Sequence, residues 1–328
     1  MEKVKWGVLG VSTHFIKRIM LPMQKSDKVN LYGIASRDGE KAKATANKFG
    51  IQKAYSKYEE LLSDPEIDAV YLPLPNNLHV EWIKKAADHG KHILCEKPLA
   101  LNASEAEEAI NYAKSKKVLI MEAFMYRFHP QWKRVLELVQ IGEIGKINFV
   151  QCTFTYNNPD PGNIRNKLEM GGGSIYDIGC YAVSTARFLM EREPSRVVSI
   201  IERDKEFKTD SRVGGMLDFG DAHSLFSVGT RTYPYQIVEI FGTSGYIRIR
   251  IPFNTYSDVP AEVEVSTKIG FRELLTEPVD HYQLEFEAFS AAVLEGRDVP
   301  VSPADAVNNL KVMDALFRSG ERGTWEIV

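Results

Sequence analysis

Val4-Lys5-Trp6-Gly7-Val8-Leu9-Gly10-Val11-Ser12-Thr13-His14-Phe15 opens the chain with an apolar run, a glycine and the start of a helical pattern. Outward from it the alternation repeats. Strands are predicted at Val4–Leu9, Asn30–Ala35, Asp68–Leu74, His92–Glu96 and Val118–Glu122. Helices are predicted between them at Thr13–Gln24, Asp38–Phe49, Leu78–His89 and Ser104–Lys116, the last opened by a capping box of Ser104 and Glu107. Helices of this length between strands imply right-handed crossovers and a parallel sheet covered on both faces.

Past Tyr126 the pattern changes. A helix at Pro130–Gln140 is followed by alternating segments at Lys146–Tyr156, Arg196–Ile201, Gly214–Phe219, His223–Gly229, Gln236–Phe241 and Tyr246–Ile251. Turns such as Asp218-Phe219-Gly220-Asp221 and Gly242-Thr243-Ser244-Gly245 separate neighbours, as in an antiparallel sheet. Two helices, His281–Glu295 and Pro303–Ser319, close the chain, with Ser302 as N-cap and Pro303 at the first position of the second. The expected fold is α/β: a Rossmann-type parallel domain over residues 1–125, then an α+β domain with a large open, mostly antiparallel sheet over 126–328.

A strand feeding a glycine turn and a helix start can hold a pyrophosphate, because the first helical N–H groups are free and point at it. Gly10 is the only glycine of the G-x-G-x-x-G pattern that remains; Ser12 and Phe15 stand at the other two places. Ser12 can still approach a phosphate, and Gly10, Ser12, Thr13, His14 and Phe15 are the candidate phosphate-side residues. Alone, the segment also fits an ordinary strand–helix turn. The second strand ends in Ser36-Arg37, with Lys41 one helical turn on, where a site for a bare ribose would carry an acid. A guanidinium beside a hydroxyl suits a 2′-phosphate. The cofactor expected is NADP(H), with NAD(H) accepted at lower affinity.

After the fourth predicted strand comes Glu96-Lys97-Pro98. Ligands of open α/β sheets lie outside the carboxyl ends of the strands, so Lys97 falls where it can orient a substrate hydroxyl and stabilise charge on oxygen. Pro98 permits a cis bond. Further on, Gly171-Gly172-Gly173-Ser174-Ile175-Tyr176-Asp177-Ile178-Gly179-Cys180-Tyr181 sets Asp177 and Tyr181 four apart, on one face of a helix. Asp177 would hold a sugar hydroxyl or the lysine, and Tyr181 would pass a proton. A phenol titrates near pH ~10, and a neighbouring ammonium would lower that. Taken singly, a loop lysine and a core tyrosine are the simpler readings.

Together these segments resemble the glucose–fructose oxidoreductase/inositol dehydrogenase family. The likeness runs over essentially the whole chain, including Pro75-Asn76-Asn77-Leu78-His79, Met121-Glu122-Ala123-Phe124-Met125-Tyr126-Arg127-Phe128-His129-Pro130 and the helix from His281. Tyrosine at the last motif position resembles the branch of dimeric dihydrodiol dehydrogenase, NADP-dependent xylose dehydrogenase and glucose–fructose oxidoreductase; other branches have histidine there. The resemblance implies hydride transfer between NADP(H) and a monosaccharide or related polyol. Lys97 would be the substrate-orienting residue, Tyr181 the general acid/base and Asp177 a substrate ligand, with Asn163 and Arg165 as weaker substrate candidates. Leu74, Pro75, Asn76, His79, Glu96, Lys97, Pro98 and Arg127 would lie around the cofactor. It further implies a homodimer or homotetramer packed through the C-terminal sheet. Alternatives are a trans-dihydrodiol dehydrogenase, a keto-sugar reductase, a sugar–sugar oxidoreductase or, in another class, a non-catalytic NADP(H) sensor, for which Lys97 and Tyr181 would be superfluous.

Composition narrows the setting. With 41 Lys and Arg against 44 Asp and Glu, the formal net charge is -3, which argues against a nucleic-acid surface. No apolar run approaches membrane-spanning length, and the N-terminus lacks the pattern of an export signal, so no trapping of cofactor by an N-terminal arm is expected. The three scattered cysteines, Cys95, Cys152 and Cys180, fit buried thiols of a reduced cytoplasm. The seven histidines have no metal-ligand spacing, so no metal is expected. Trp6 and Trp82 are expected to pack, and His79 and His129 either approach the cleft or satisfy the core.

Overall fold

The computed structural model of the chain describes residues 2–328, which form two units. The first comprises the residues up to Met125 together with His281–Val307. Its strands are β1 (Val4–Leu9), β2 (Val29–Ala35), β3 (Lys53–Tyr55), β4 (Ala69–Leu72), β5 (His92–Glu96) and β6 (Ile120–Ala123). They form one sheet in the order β3-β2-β1-β4-β5-β6, every pair parallel. This order reverses direction beside β1, and such a switch point is where open α/β sheets bind nucleotides. Trp6, Val8, Val70, Tyr71 and Leu94 are buried, as strands covered on both faces require.

Helix His281–Glu295 covers part of this sheet although it lies far along the chain. Phe286 and Phe289 set their rings 4.8 and 5.4 Å from Trp6, whose indole Nε1 donates to Ser290 Oγ at 3.0 Å. Trp82 packs edge-on against Tyr58 at 4.9 Å.

Several local expectations change. The short strand β3 was not anticipated, and β4 stops at Leu72, leaving Leu74 in the loop that follows. The capping box predicted at Ser104 and Glu107 sits two residues earlier. Asn102 Oδ1 accepts from Glu105 N–H at 2.9 Å, and Glu105 Oε2 accepts from Leu101 N–H at 3.3 Å. Asn102 has the extended backbone of an N-cap, and asparagine caps as well as serine, so the helix starts at Ala103.

The second unit, Tyr126–Asp280 with Asn308–Val328, is built on a nine-stranded sheet. Its strands are β7 (Ile147–Asn157), β8 (Arg196–Arg203), β9 (Asp210–Asp218), β10 (His223–Gly229), β11 (Arg231–Gly242), β12 (Gly245–Ile249), β13 (Ala261–Thr267), β14 (Gly270–Thr276) and β15 (Glu326–Ile327). The order is β14-β13-β12-β11-β7-β10-β9-β8-β15, antiparallel except for β7 with β10. The expected fold class is the observed one, with β13, β14 and β15 beyond the strands read from sequence.

Alternation gives this sheet two unlike faces. Val150, Cys152, Phe154, Phe226, Val238 and Ile240 point inward and are buried; helix Cys180–Met190 lies on that side, in contact with β7. Phe149, Leu225 and Ile200 project from the other face and stay exposed. No described helix is long and apolar enough to cross a membrane.

Candidate active site

In the first unit the candidate residues gather at the carboxyl ends of β1, β2, β4 and β5. Gly10 takes φ 122°, a region that side chains rarely enter, and a Cβ there would lie 3.6 Å from Tyr58 Oη and 3.5 Å from Leu74 Cδ2. Ser12 caps the helix start: its Oγ accepts from Phe15 N–H at 3.1 Å. Its hydroxyl keeps a proton to donate, as the phosphate reading needs. Thr13 and His14 begin the helix, which widens to π geometry over Phe15–Ile19, a feature frequent at functional sites. Phe15 is fully buried and packs toward Tyr71 at 6.2 Å, so its side chain belongs to the core rather than to a ligand.

At the end of β2, Ser36 is buried and its Oγ accepts from Asp38 N–H at 3.1 Å, while Asp38 Oδ1 caps the next helix through Lys41 N–H at 3.1 Å. The acid nearest this corner is therefore spent on the helix start. Arg37 and Lys41 are exposed. Burial raises the Tyr58 phenol pKa, while the charge of Arg37 and a hydrogen bond with it pull the other way. Gly10, Arg37 and Tyr58 thus share one corner, and Tyr58 is a member that no motif announces.

His79 ties two loops together. Its Nδ1 lies 2.8 Å from Pro98 O and its Nε2 3.0 Å from Leu74 O, and burial holds its pKa below the usual value. It joins the loop after β4, with Leu74, Pro75 and Asn76, to the loop after β5, with Glu96, Lys97 and Pro98. The Lys97–Pro98 bond is cis. Glu122, buried on β6, accepts from Leu99 N–H through Oε1 at 2.8 Å and holds that loop from beneath. Glu96 Oε1 accepts from the Tyr71 hydroxyl and lies 3.9 Å from His14 Nε2.

The corner fits a dinucleotide with a 2′-phosphate. A helix start meets a glycine turn at the switch point, and a lone guanidinium stands at the end of β2. Gly10, Ser12 and His14 would hold the diphosphate and Arg37 the 2′-phosphate; the bound nicotinamide supplies a hydride acceptor or donor.

In the second unit the glycine run is forced by its neighbours. Gly173 takes φ 118°, and a Cβ there would collide with Asp210 Oδ1. A Cβ at Gly172 would meet Arg165 O at 2.5 Å. Asp210, buried at the start of β9, holds the helix start by accepting from Ile175 N–H at 2.6 Å and Ser174 Oγ at 3.0 Å through Oδ2. Burial raises its pKa to about 6 against those bonds. The chain then runs in π geometry over Ile175–Gly179 and continues as helix Cys180–Met190.

Asp177 lies within the π segment. Its Oδ2 accepts from Tyr156 Oη at 2.5 Å and from Arg165 Nε at 2.8 Å. Burial, and then the charge of Asp177, push the Tyr156 phenol well above its usual range, so it remains a donor. Asn163 spends its side chain capping a short turn, accepting from Arg165 N–H at 3.0 Å. Of the two weaker substrate candidates, Arg165 reaches Asp177 and Asn163 supports the loop. Tyr181 is buried among aromatic rings, with Phe253 at 5.0, Phe154 at 5.8 and Tyr126 at 5.9 Å. Arg127 donates to Ser184 Oγ at 3.0 Å and lies over Phe188 at 5.1 Å.

Three residues flagged by motif or type serve the fold. His129 is an N-cap that accepts from Gln131 N–H at 3.1 Å, and burial lowers its pKa to about 4. Cys95 and Cys152 are buried free thiols whose pKa burial raises, the opposite of what a nucleophile needs.

Comparison with known proteins gives the family. A family model described as "Oxidoreductase family, NAD-binding Rossmann fold" matches residues 4–124, and one described as "GFO/IDH/MocA C-terminal domain" matches residues 132–248. The chain is 37% identical over 320 residues to D-xylose 1-dehydrogenase (NADP(+)) 2 of Haloferax volcanii, covering 97% of this chain and 98% of that one. It is 34% identical over 253 residues to trans-1,2-dihydrobenzene-1,2-diol dehydrogenase of Xenopus tropicalis, covering 75% of this chain and 74% of the other. The crystal structure of KijD10, a 3-ketoreductase from Actinomadura kijaniata in complex with NADP and TDP-benzene, matches with a TM-score of 0.92 at 26% identity, over 97% of this chain and 98% of that chain.

Proposed function

The chain belongs to the GFO/IDH/MocA family of NAD(P)-dependent oxidoreductases acting on CH–OH groups, and from that premise we propose that it is a sugar dehydrogenase using NADP(H). Its substrate is a monosaccharide or closely related polyol, as in an aldose 1-dehydrogenase. The reading rests most on Asp177 and Tyr181, which sit on one helical stretch, the phenol in an aromatic pocket and the carboxylate already paired with Arg165 and Tyr156.

Lys97 and Tyr181 act on the same substrate oxygen. In oxidation the ionised Tyr181 Oη would take the hydroxyl proton and the ammonium of Lys97 would stabilise charge on that oxygen, with bound NADP+ supplying the hydride acceptor. Asp177 accepts from a neighbouring sugar hydroxyl. Run backwards, the same groups reduce a ketone. The likeness to a 3-ketoreductase supports keto-sugar reduction as the second reading.

A screen of aldoses, ketoses and polyols with NADP+ and NADPH tests this. Turnover is expected with at least one free sugar. Tight NADPH binding without turnover on any sugar, keto-sugar or diol would contradict it.

The exposed outer face of the second sheet supports a homodimer or homotetramer. Ile200 is 80% exposed there, and Phe149 packs on Phe241 at 4.7 Å elsewhere on the same face. A monomer by light scattering at micromolar concentration would contradict this. Buried free cysteines suit a cytoplasmic enzyme; an oxidised, exported form isolated from cells would overturn that placement.

A further inference from the structure

Glu285 is a buried carboxyl that the proposed chemistry does not use. It lies on helix His281–Glu295, is 1% exposed, and its Oε1 has no hydrogen-bond partner among the described residues. A methionine there would avoid the cost of an unsatisfied buried oxygen. Its surroundings suggest what it does. Glu285 and Glu96 both act electrostatically on the Tyr71 phenol, and Tyr71 donates its proton to Glu96. The same oxygen of Glu96 lies 3.9 Å from His14 Nε2, which is also 3.4 Å from Tyr282 Oη. His281 completes the ring of titratable groups, 4.6 Å from the Tyr282 ring.

The one charge that acts on Glu285 is that of Glu96. Among the elements packed on the helix, Lys17, Arg18 and Lys25 are exposed, Lys5 pairs with Glu66, and none of them is among the charges acting on Glu285. β2 carries no charged residue. Two carboxyls that act on each other, one of them buried, cannot both ionise cheaply. Burial first, and then the charge of Glu96, push the Glu285 carboxyl well above its usual range. Glu285 therefore keeps the proton.

We propose that Glu285 is a positioning residue for Glu96 and makes the lysine loop responsive to the charge of the nicotinamide: binding of NADP+ drives its proton into solvent, and binding of NADPH does not. The argument rests on the reading that Glu96 lies on the cofactor side. The oxidised ring is a cation and the reduced ring is neutral. Added positive charge near two carboxyls favours ionising the second, so NADP+ affinity gains with rising pH relative to NADPH.

Two measurements on the full-length protein test this. The infrared difference between wild type and Glu285→Gln, without nucleotide at neutral pH, should show a protonated carboxyl band in wild type alone. Its absence overturns the proposal whatever the cofactor. Calorimetric titration in buffers of different ionisation enthalpy should then show proton release on NADP+ binding but not on NADPH binding. Glu285→Gln should abolish that release, and with it the several-fold gain of NADP+ over NADPH between pH 6 and 8, while NADPH affinity stays close to wild type. Unchanged release in the variant overturns the proposal. If the band is present but neither nucleotide binds, the cofactor reading has failed and takes the coupling with it. Should Glu285→Gln not fold, Glu285→Met removes the same proton and is held to the same outcomes.

Discussion

In the proposed reading Arg37 carries the choice of cofactor on one side chain. It is exposed beside the half-hidden Tyr58 hydroxyl, where a 2′-phosphate would replace water around the guanidinium. A charge-assisted pair of this kind contributes roughly 1.5–3 kcal/mol. Arg37→Ala is therefore expected to weaken NADPH binding by about ten- to a hundredfold while NADH binding holds. Fluorescence titration of both nucleotides checks this, and an unchanged preference would remove Arg37 from the role. Arg37 was legible in the sequence because a parallel strand delivers its last residues to the ligand edge. Tyr58, Tyr156 and Glu285 were not, since each reaches its partner from a distant segment and has no motif around it. Phe15 shows the opposite failure: it occupies a motif position, yet its bulk goes to the core.

The glycine turn before Asp177 shows how an element is placed. Gly172 and Gly173 let the backbone close on Arg165 O and the Asp210 carboxylate, and Asp210 fixes the start of the segment that carries both Asp177 and Tyr181. A pKa raised to about 6 in the folded state means that Asp210 costs nothing below its unfolded value of about 3.8. As pH rises between the two values the unfolded chain ionises first, so stability falls; above about 6 the cost is constant, roughly 3 kcal/mol. Asp210→Asn does not titrate and can still accept from Ile175 N–H. Its stability relative to wild type should rise between pH 4 and 7 in chemical denaturation, and a pH-independent difference would contradict this. The sequence announced the glycines but not the aspartate they approach. Helix starts were legible to within a few residues, with Asn102 taking the cap from Ser104. The strands β3, β13, β14 and β15 were missed because two are very short and the other two mix charges into the alternation, as at Glu262, Glu264 and Arg272.

At the scale of the whole molecule, the parallel pairing of β1, β2, β4, β5 and β6 follows from strands spaced by helices, and that much of the first sheet could be read from sequence. The return of His281–Val307 to the first unit could not, because the apolar face of that helix suits either sheet until Trp6 and Phe286 are seen together. The proposed chemistry takes an amine from the loop after β5 and a phenol from helix Cys180–Met190. Groups that act as a unit give non-additive losses, whereas independent groups give losses that multiply. The most direct measurement is kcat/KM with NADP+ and the best sugar for Lys97→Met, Tyr181→Phe and the double variant, with NADPH affinity as the control on cofactor binding. Each single variant should lose about a thousandfold or more, and the double should be little worse than either. Losses that multiply in the double variant, or a Lys97→Met enzyme that still turns over, would mean that the two residues do not meet on one substrate oxygen.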